Sequence, residues 1–116
     1  MLALAAAAAA YGCALRSHPS GGLYQRLQSG QDKEVAQAAV EAGAARDRQA
    51  VPYLIEALEN DAADIRIFAI TSLRQITGED FGFRPWASSG QRAAAVERWR
   101  QWWAGASATA ALSAGE

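Results

Sequence analysis

The sequence has little of what chemistry at a site usually needs. Its 116 residues hold one cysteine, Cys13, and one histidine, His18. A lone cysteine excludes an intramolecular disulfide, and the two residues together fall short of the four ligands of a typical structural zinc site. Neither sign of charge is in excess: 11 basic residues face 12 acidic ones, for a formal net charge of −1. That balance gives no global pull toward nucleic acid or an anionic membrane. The glycines are scattered, and none falls in a phosphate-cradling or dinucleotide pattern. There is no nucleophile elbow, and His18 lies away from any serine–aspartate pairing, so a Ser-His-Asp triad is not expected. Asp61 with Asp64 and Glu79 with Asp80 are carboxylate pairs. Turn and helix-start roles account for both, because acidic residues favour helix N-termini. The chain is therefore expected to be no enzyme, with no catalytic residue, metal, cofactor or small-molecule substrate.

A long hydrophobic run is also missing. Residues 1–12 are uncharged and mostly alanine, and no charge precedes Arg16. As a helix they would reach roughly 18 Å, well short of a hydrocarbon core of roughly 30 Å, so they are not a transmembrane helix. They do have the length of the apolar region of a signal peptide. The run ends Ala10-Tyr11-Gly12-Cys13, and a small residue directly before a cysteine at that place resembles the bacterial lipobox. The resemblance implies cleavage before Cys13 and diacylation of its thiol, giving a membrane anchor; two or more acyl chains hold stably where one does not. The expected location is then the bacterial cell envelope. The alternatives are ordinary export to the periplasm or medium, or the cytoplasm if residues 1–12 are retained. Residues 13–22 contain Arg16-Ser17-His18-Pro19-Ser20-Gly21-Gly22 and read as a flexible tether in which His18 is a solvated loop residue.

From Leu23 the apolar spacing becomes helical. Leu23 and Leu27 open a short segment that Ser29-Gly30 ends. Asp32 offers an N-cap for the next helix, with Val35, Ala38, Ala39 and Ala42 on one stripe and Gly43 as a place to stop. Asp47 is the next cap candidate. Val51, Leu54, Ile55 and Leu58 then follow at the spacing of one buried helix face, with Pro52 in the early turns where its missing N–H matters least. Asp61 is the cap expected for a further helix carrying Ile65, Phe68, Ala69, Leu73 and Ile76, which Gly78 ends.

Shifting the chain on itself by 30 residues places Val35 on Ile65, Ala39 on Ala69 and Val40 on Ile70. Two helix–turn–helix units follow, and units of this kind bury their apolar faces only by stacking. The segment Val51-Pro52-Tyr53-Leu54-Ile55, then Asn60-Asp61, then Ile65-Arg66 and Ala69-Ile70-Thr71-Ser72-Leu73 resembles the HEAT repeat. The match is good over residues 48–77 and weaker over 23–46, where Gly43 takes a leucine position. The resemblance implies an all-α fold, a short α-solenoid of HEAT-type helix pairs. It also implies structural roles for Pro52, Asp61 and Arg66, with the last two tying one repeat to the next.

The C-terminal stretch differs. Phe81, Phe83 and Trp86 sit among glycines and a proline, and Ser88 or Ser89 can cap a helix over 90–103. Val96, Trp99 and Trp103 fall on one stripe of it, with Trp102 beside them. Terminal repeats need a different outer face, so this Trp-rich helix is expected to cap the solenoid. Tryptophan and arginine are also common interface anchors. Trp102 is the tryptophan expected to stay partly exposed, and with Arg98 and Arg100 it forms the candidate partner-binding patch. The folded domain is expected over 23–103, and the Ala-, Gly- and Ser-rich residues 104–116 read as a disordered tail. The expected function is a non-enzymatic protein–protein interaction module, an envelope lipoprotein with an unknown protein partner. The alternative is a structural brace within an envelope complex.

Overall fold

A computed structural model describes residues 22–115. The expected signal segment 1–12, Cys13, His18 and nearly all of the tether lie outside the described residues. Five α-helices follow in order: α1 (Leu23–Leu27), α2 (Asp32–Ala45), α3 (Val51–Ala57), α4 (Ala63–Thr77) and α5 (Ser89–Gly115), with a 3₁₀ turn at Arg48–Ala50 leading into α3. There is no strand among the described residues. The fold is all-α, and α1–α2 and α3–α4 are the two helix pairs that the internal repeat implied.

Local chemistry sets the helix ends. Pro52 is within the first two positions of α3, where no helical bond is lost. Asp47 caps the preceding turn, its Oδ1 accepting from the Gln49 N–H at 3.0 Å. Gly78 ends α4 with φ +82°, the left-handed conformation glycine adopts freely. Two expected caps differ. The N-cap of α2 is Gln31, and Asp32 is already helical; its charge still favours the positive end of the helix dipole. The N-cap of α4 is Ala62, so Asp61 stands one residue too early to reach the first turn. Asn60 serves the turn instead, its Oδ1 accepting from the Ala62 N–H at 2.8 Å.

The pairs stack. α1 packs on α2, α3 on α4, α2 on α4, and α1 on α3. Val51, Leu54, Ile55 and Leu58 are buried as their spacing predicts, with Val35, Ile65, Ala69, Ile70 and Leu73. Burying each large aliphatic contributes about 1.5–3 kcal/mol. Between the first helices of the pairs, Tyr24 stacks on Tyr53 with centroids 5.2 Å apart. Tyr24 also donates to the Asp47 carboxylate at 2.8 Å. Arg26 bridges α1 to Glu41 of α2 through two bonds of 2.7 and 2.8 Å. Between the second helices, Ala39, Ala42 and Gly43 of α2 are buried, and the Ser72 hydroxyl of α4 donates to the Ala39 carbonyl at 2.5 Å. Gly43 does not stop α2. The helix runs on through it and ends at Arg46, a left-handed residue with φ 52°.

The last helix is longer than its sequence suggests. Ser88 Oγ accepts from the Gln91 N–H at 3.2 Å and starts it. It then continues through 104–115, where the composition predicts a disordered tail. Alanine has the highest helix propensity, so a segment already nucleated by a packed helix propagates through alanines with no buried face of its own.

Candidate functional site

α5 and the loop before it close one end of the stack. Trp99 is fully buried and meets Phe81 edge to face at 4.7 Å. Its Nε1 donates to the Asp80 carbonyl at 3.1 Å. Phe83 is also fully buried. Arg66, 6 % exposed, binds this cap to the second repeat. Its Nε donates to the Pro85 carbonyl at 2.9 Å, and one terminal nitrogen donates to the carbonyls of Asn60 and Asp61 at 2.8 Å each. The bonds of the Arg66 guanidinium are all to backbone carbonyls of its own repeat's turn and of the cap loop. It ties the second repeat to the cap through backbone carbonyls, while the Asp61 carboxylate faces solvent and forms no charged tie.

The three residues expected to bind a partner do not converge on one patch. Trp102 is half-buried in the aromatic cluster, 5.8 Å from both Trp99 and Phe81, with the Arg48 guanidinium 5.3 Å from its ring. Arg100 pairs with Glu59 and joins α5 to the end of α3. Arg98 donates through Nε to the Phe81 carbonyl at 2.9 Å. Arg100 faces a cleft shared with Tyr53 and Trp103, whereas Arg98 faces a different one shared with Arg84 and Trp86. The most exposed tryptophan is Trp86, at 75 %.

A second surface lies on α2 and α4. Those helices approach through their small-residue stripe, so side chains about 100° away on each helix point outward. Val40 is 52 % exposed, Ile67 43 % and Phe68 37 %. Val40 and Phe68, with Ala36, Gln37 and Glu41, line a shallow apolar cleft of about 380 Å³. Phe68, which the helical spacing assigns to the buried stripe, is thus exposed, while Ile70 is buried.

The bond to Arg26 lowers the Glu41 carboxyl below its ordinary value and raises the Arg26 guanidinium. The bond to Asp47 raises the Tyr24 phenol. Among the described residues, no group of three or more His, Cys, Asp or Glu could hold a metal ion, and no helix is long and apolar enough to cross a membrane.

The family model of HEAT repeats matches residues 21–81, which is more than half of the chain. The chain belongs to the HEAT-repeat family. The match takes in both helix pairs, including the weaker first one, and stops where the aromatic cap begins. HEAT repeats are generally protein-interaction modules. No curated protein and no solved structure matches the sequence. The two HEAT repeats thus present the outward faces of their second helices, and α5 with its loop lies beyond the family match.

Proposed function

We propose that the chain is a non-enzymatic protein–protein interaction module that grips its partner on the outward face of α2 and α4. The observation that carries this reading is the pair Val40 and Phe68, exposed on the second helices of two consecutive HEAT repeats and lining one shallow cleft. Exposed apolar side chains that converge on a shallow cleft are the feature of a protein-binding surface. The partner would present an apolar side chain to the cleft at Val40 and Phe68. The rim there is polar, with Gln37 and Glu41. Membership in the HEAT-repeat family supports the same role.

The test is site-specific photocrosslinking in a bacterial host. A crosslinker at Val40 should trap a protein, one at Glu56 on the other layer should not, and Phe68→Ala should abolish the adduct while helical circular dichroism stays unchanged. An adduct pattern that ignores Phe68→Ala would overturn the reading.

We further propose that the module is held in a bacterial envelope by acyl chains on Cys13. The apolar run ending in Ala10-Tyr11-Gly12-Cys13 supports this. Intact mass decides it. A membrane-bound species lacking residues 1–12 and heavier by acyl chains is the expected result. A soluble species that retains Met1 refutes it, and the partner then belongs to the cytoplasm.

A further inference from the structure

We propose that the cap loop carries a second docking site, built from Arg84, Trp86 and Arg98, for an acidic segment of a partner protein. In this loop exposure alternates: Phe83 and Pro85 are buried, and Gly82, Arg84 and Trp86 are exposed. Residues 84–87 form a turn, closed by the Ala87 N–H donating to the Arg84 carbonyl at 3.1 Å, and the side chains of Arg84 and Trp86 line one cleft. Arg84 and Trp86 are therefore displayed together.

The display is rigid. Phe83 is fully buried. The Pro85 carbonyl accepts from Arg66 Nε at 2.9 Å, and the Phe81 carbonyl accepts from Arg98 Nε at 2.9 Å. Downstream, the Ala87 carbonyl accepts from the Arg92 guanidinium at 2.6 Å. A loop fixed on both sides of its exposed residues loses little freedom when a ligand binds. Nothing in the core explains Trp86, whose side chain stands 75 % exposed.

Beside the indole opens a cleft of about 540 Å³ walled by Arg84, Trp86, Gln91, Ala94 and Arg98. It has two guanidinium groups and no carboxylate. The Arg84 guanidinium makes no hydrogen bond or ion pair among the described residues, and that of Arg98 engages only a neutral carbonyl. Three other arginines are matched by acids, Arg26 by Glu41, Arg74 by Asp80 and Arg100 by Glu59, and Arg46, Arg66 and Arg92 bond backbone carbonyls. Unmatched guanidinium groups in a concave site favour carboxylates, which they bind in a planar two-point geometry. An adjacent exposed indole favours an apolar or aromatic neighbour of that carboxylate. A protein segment carrying glutamate or aspartate beside an apolar residue supplies both. An anionic bilayer fits less well, because two cations are few for a charged membrane surface and a cleft does not lie flush against a flat one.

The experiment is fluorescence anisotropy with the full chain and a labelled peptide of glutamates interspersed with phenylalanines. Saturable, salt-sensitive binding is expected. Arg84→Glu and Trp86→Ala should each weaken it by about tenfold, with helical circular dichroism unchanged because neither side chain supports the fold. Arg84→Gln replaces Arg84→Glu should that variant fail to fold. Four outcomes overturn the proposal: no saturable binding; equal binding by the variants; equal binding of a peptide with lysine for glutamate; or attachment to phosphatidylglycerol vesicles that Arg84→Glu abolishes while the peptide stays free.

Discussion

At Gly43, helix propensity and packing make opposite predictions, and the structure decides between them. Glycine inside a helix is about 1 kcal/mol less favourable than alanine, so propensity alone makes Gly43→Ala stabilising. The geometry opposes it. A Cβ at Gly43 would lie 2.1 Å from Gln75 Oε1, 2.9 Å from Ser72 Oγ and 3.0 Å from Ser72 Cβ. The glutamine is exposed and can swing away. Ser72 cannot, because it is buried and its hydroxyl donates to the Ala39 carbonyl at 2.5 Å. Either α2 and α4 part, or Ser72 leaves its rotamer and the bond is lost. Overpacking of this kind costs about 1–3 kcal/mol. The net expectation is a loss of about 1 kcal/mol once the propensity gain of similar size is subtracted, or about 4–8 °C in Tm for a domain of this size. Gly105→Ala is the control. It lies within α5 with nothing inside 4 Å of an added Cβ, so propensity acts alone there and the change should be neutral or stabilising. Urea denaturation followed by circular dichroism measures both. Adding Gln75→Ala to Gly43→Ala should leave most of the loss in place. A Gly43→Ala protein that gains as much stability as Gly105→Ala would refute the claim that this glycine exists for helix contact.

Trp99→Ala should cost roughly 3–5 kcal/mol in the same assay, as for a large aromatic lost from a core. Trp86→Ala should stay within about 0.5 kcal/mol, and a reversal of that order would mean the cap is packed differently. Arg66→Lys should destabilise by about 1–3 kcal/mol, because an ammonium is a point charge and cannot reach three carbonyls from the guanidinium's fork; an unchanged midpoint would show that the fork contributes nothing. Glu41, whose carboxyl Arg26 holds below its ordinary value, gives a pH dependence. A depressed folded pKa adds stability above the unfolded value, and that stability is lost as pH falls through the folded one. Glu41→Gln should therefore flatten part of the acid limb of a stability–pH profile, with a difference that shrinks in high salt because the pair is partly exposed. Coincident acid limbs at low salt would count against it.

Much of the fold could be read from spacing alone. Val51, Leu54, Ile55 and Leu58 repeat at helical intervals, and all four are buried. Gly78 marks its helix end because a left-handed residue was needed there. Gly43 misleads for a physical reason. Glycine signals both a helix stop and a close helix approach, and what separates the two is Ser72, a residue 29 positions later. The caps expected at Asp32 and Asp61 are each displaced by one position, and neither actual N-cap, Gln31 or Ala62, makes a side-chain cap bond, so no capping side chain marks either start. The alanine-rich residues 104–115 have no periodic apolar face, and so they carry no pattern from which a packed helix could be predicted.

The candidate surfaces were less legible, because exposure at them is set by neighbours rather than by residue type. Val40 and Ile70 stand at equivalent places in the 30-residue repeat, yet one is 52 % exposed and the other is buried. The two sites cannot be the same when only the second repeat is followed by an aromatic cap. The arginines make the same point. Arg98, Arg100 and Arg84 look alike in sequence, but Arg100 is held by Glu59 and Arg98 by a carbonyl, which leaves only the Arg84 guanidinium of the three without a partner among the described residues. The same loop that completes the core with Phe83 holds Arg84 and Trp86 outward, because burial of Phe83 and Pro85 anchors the turn that carries them. Arg66 holds that turn through the Pro85 carbonyl. Capping the solenoid and displaying a basic, aromatic edge are thus two consequences of one loop conformation.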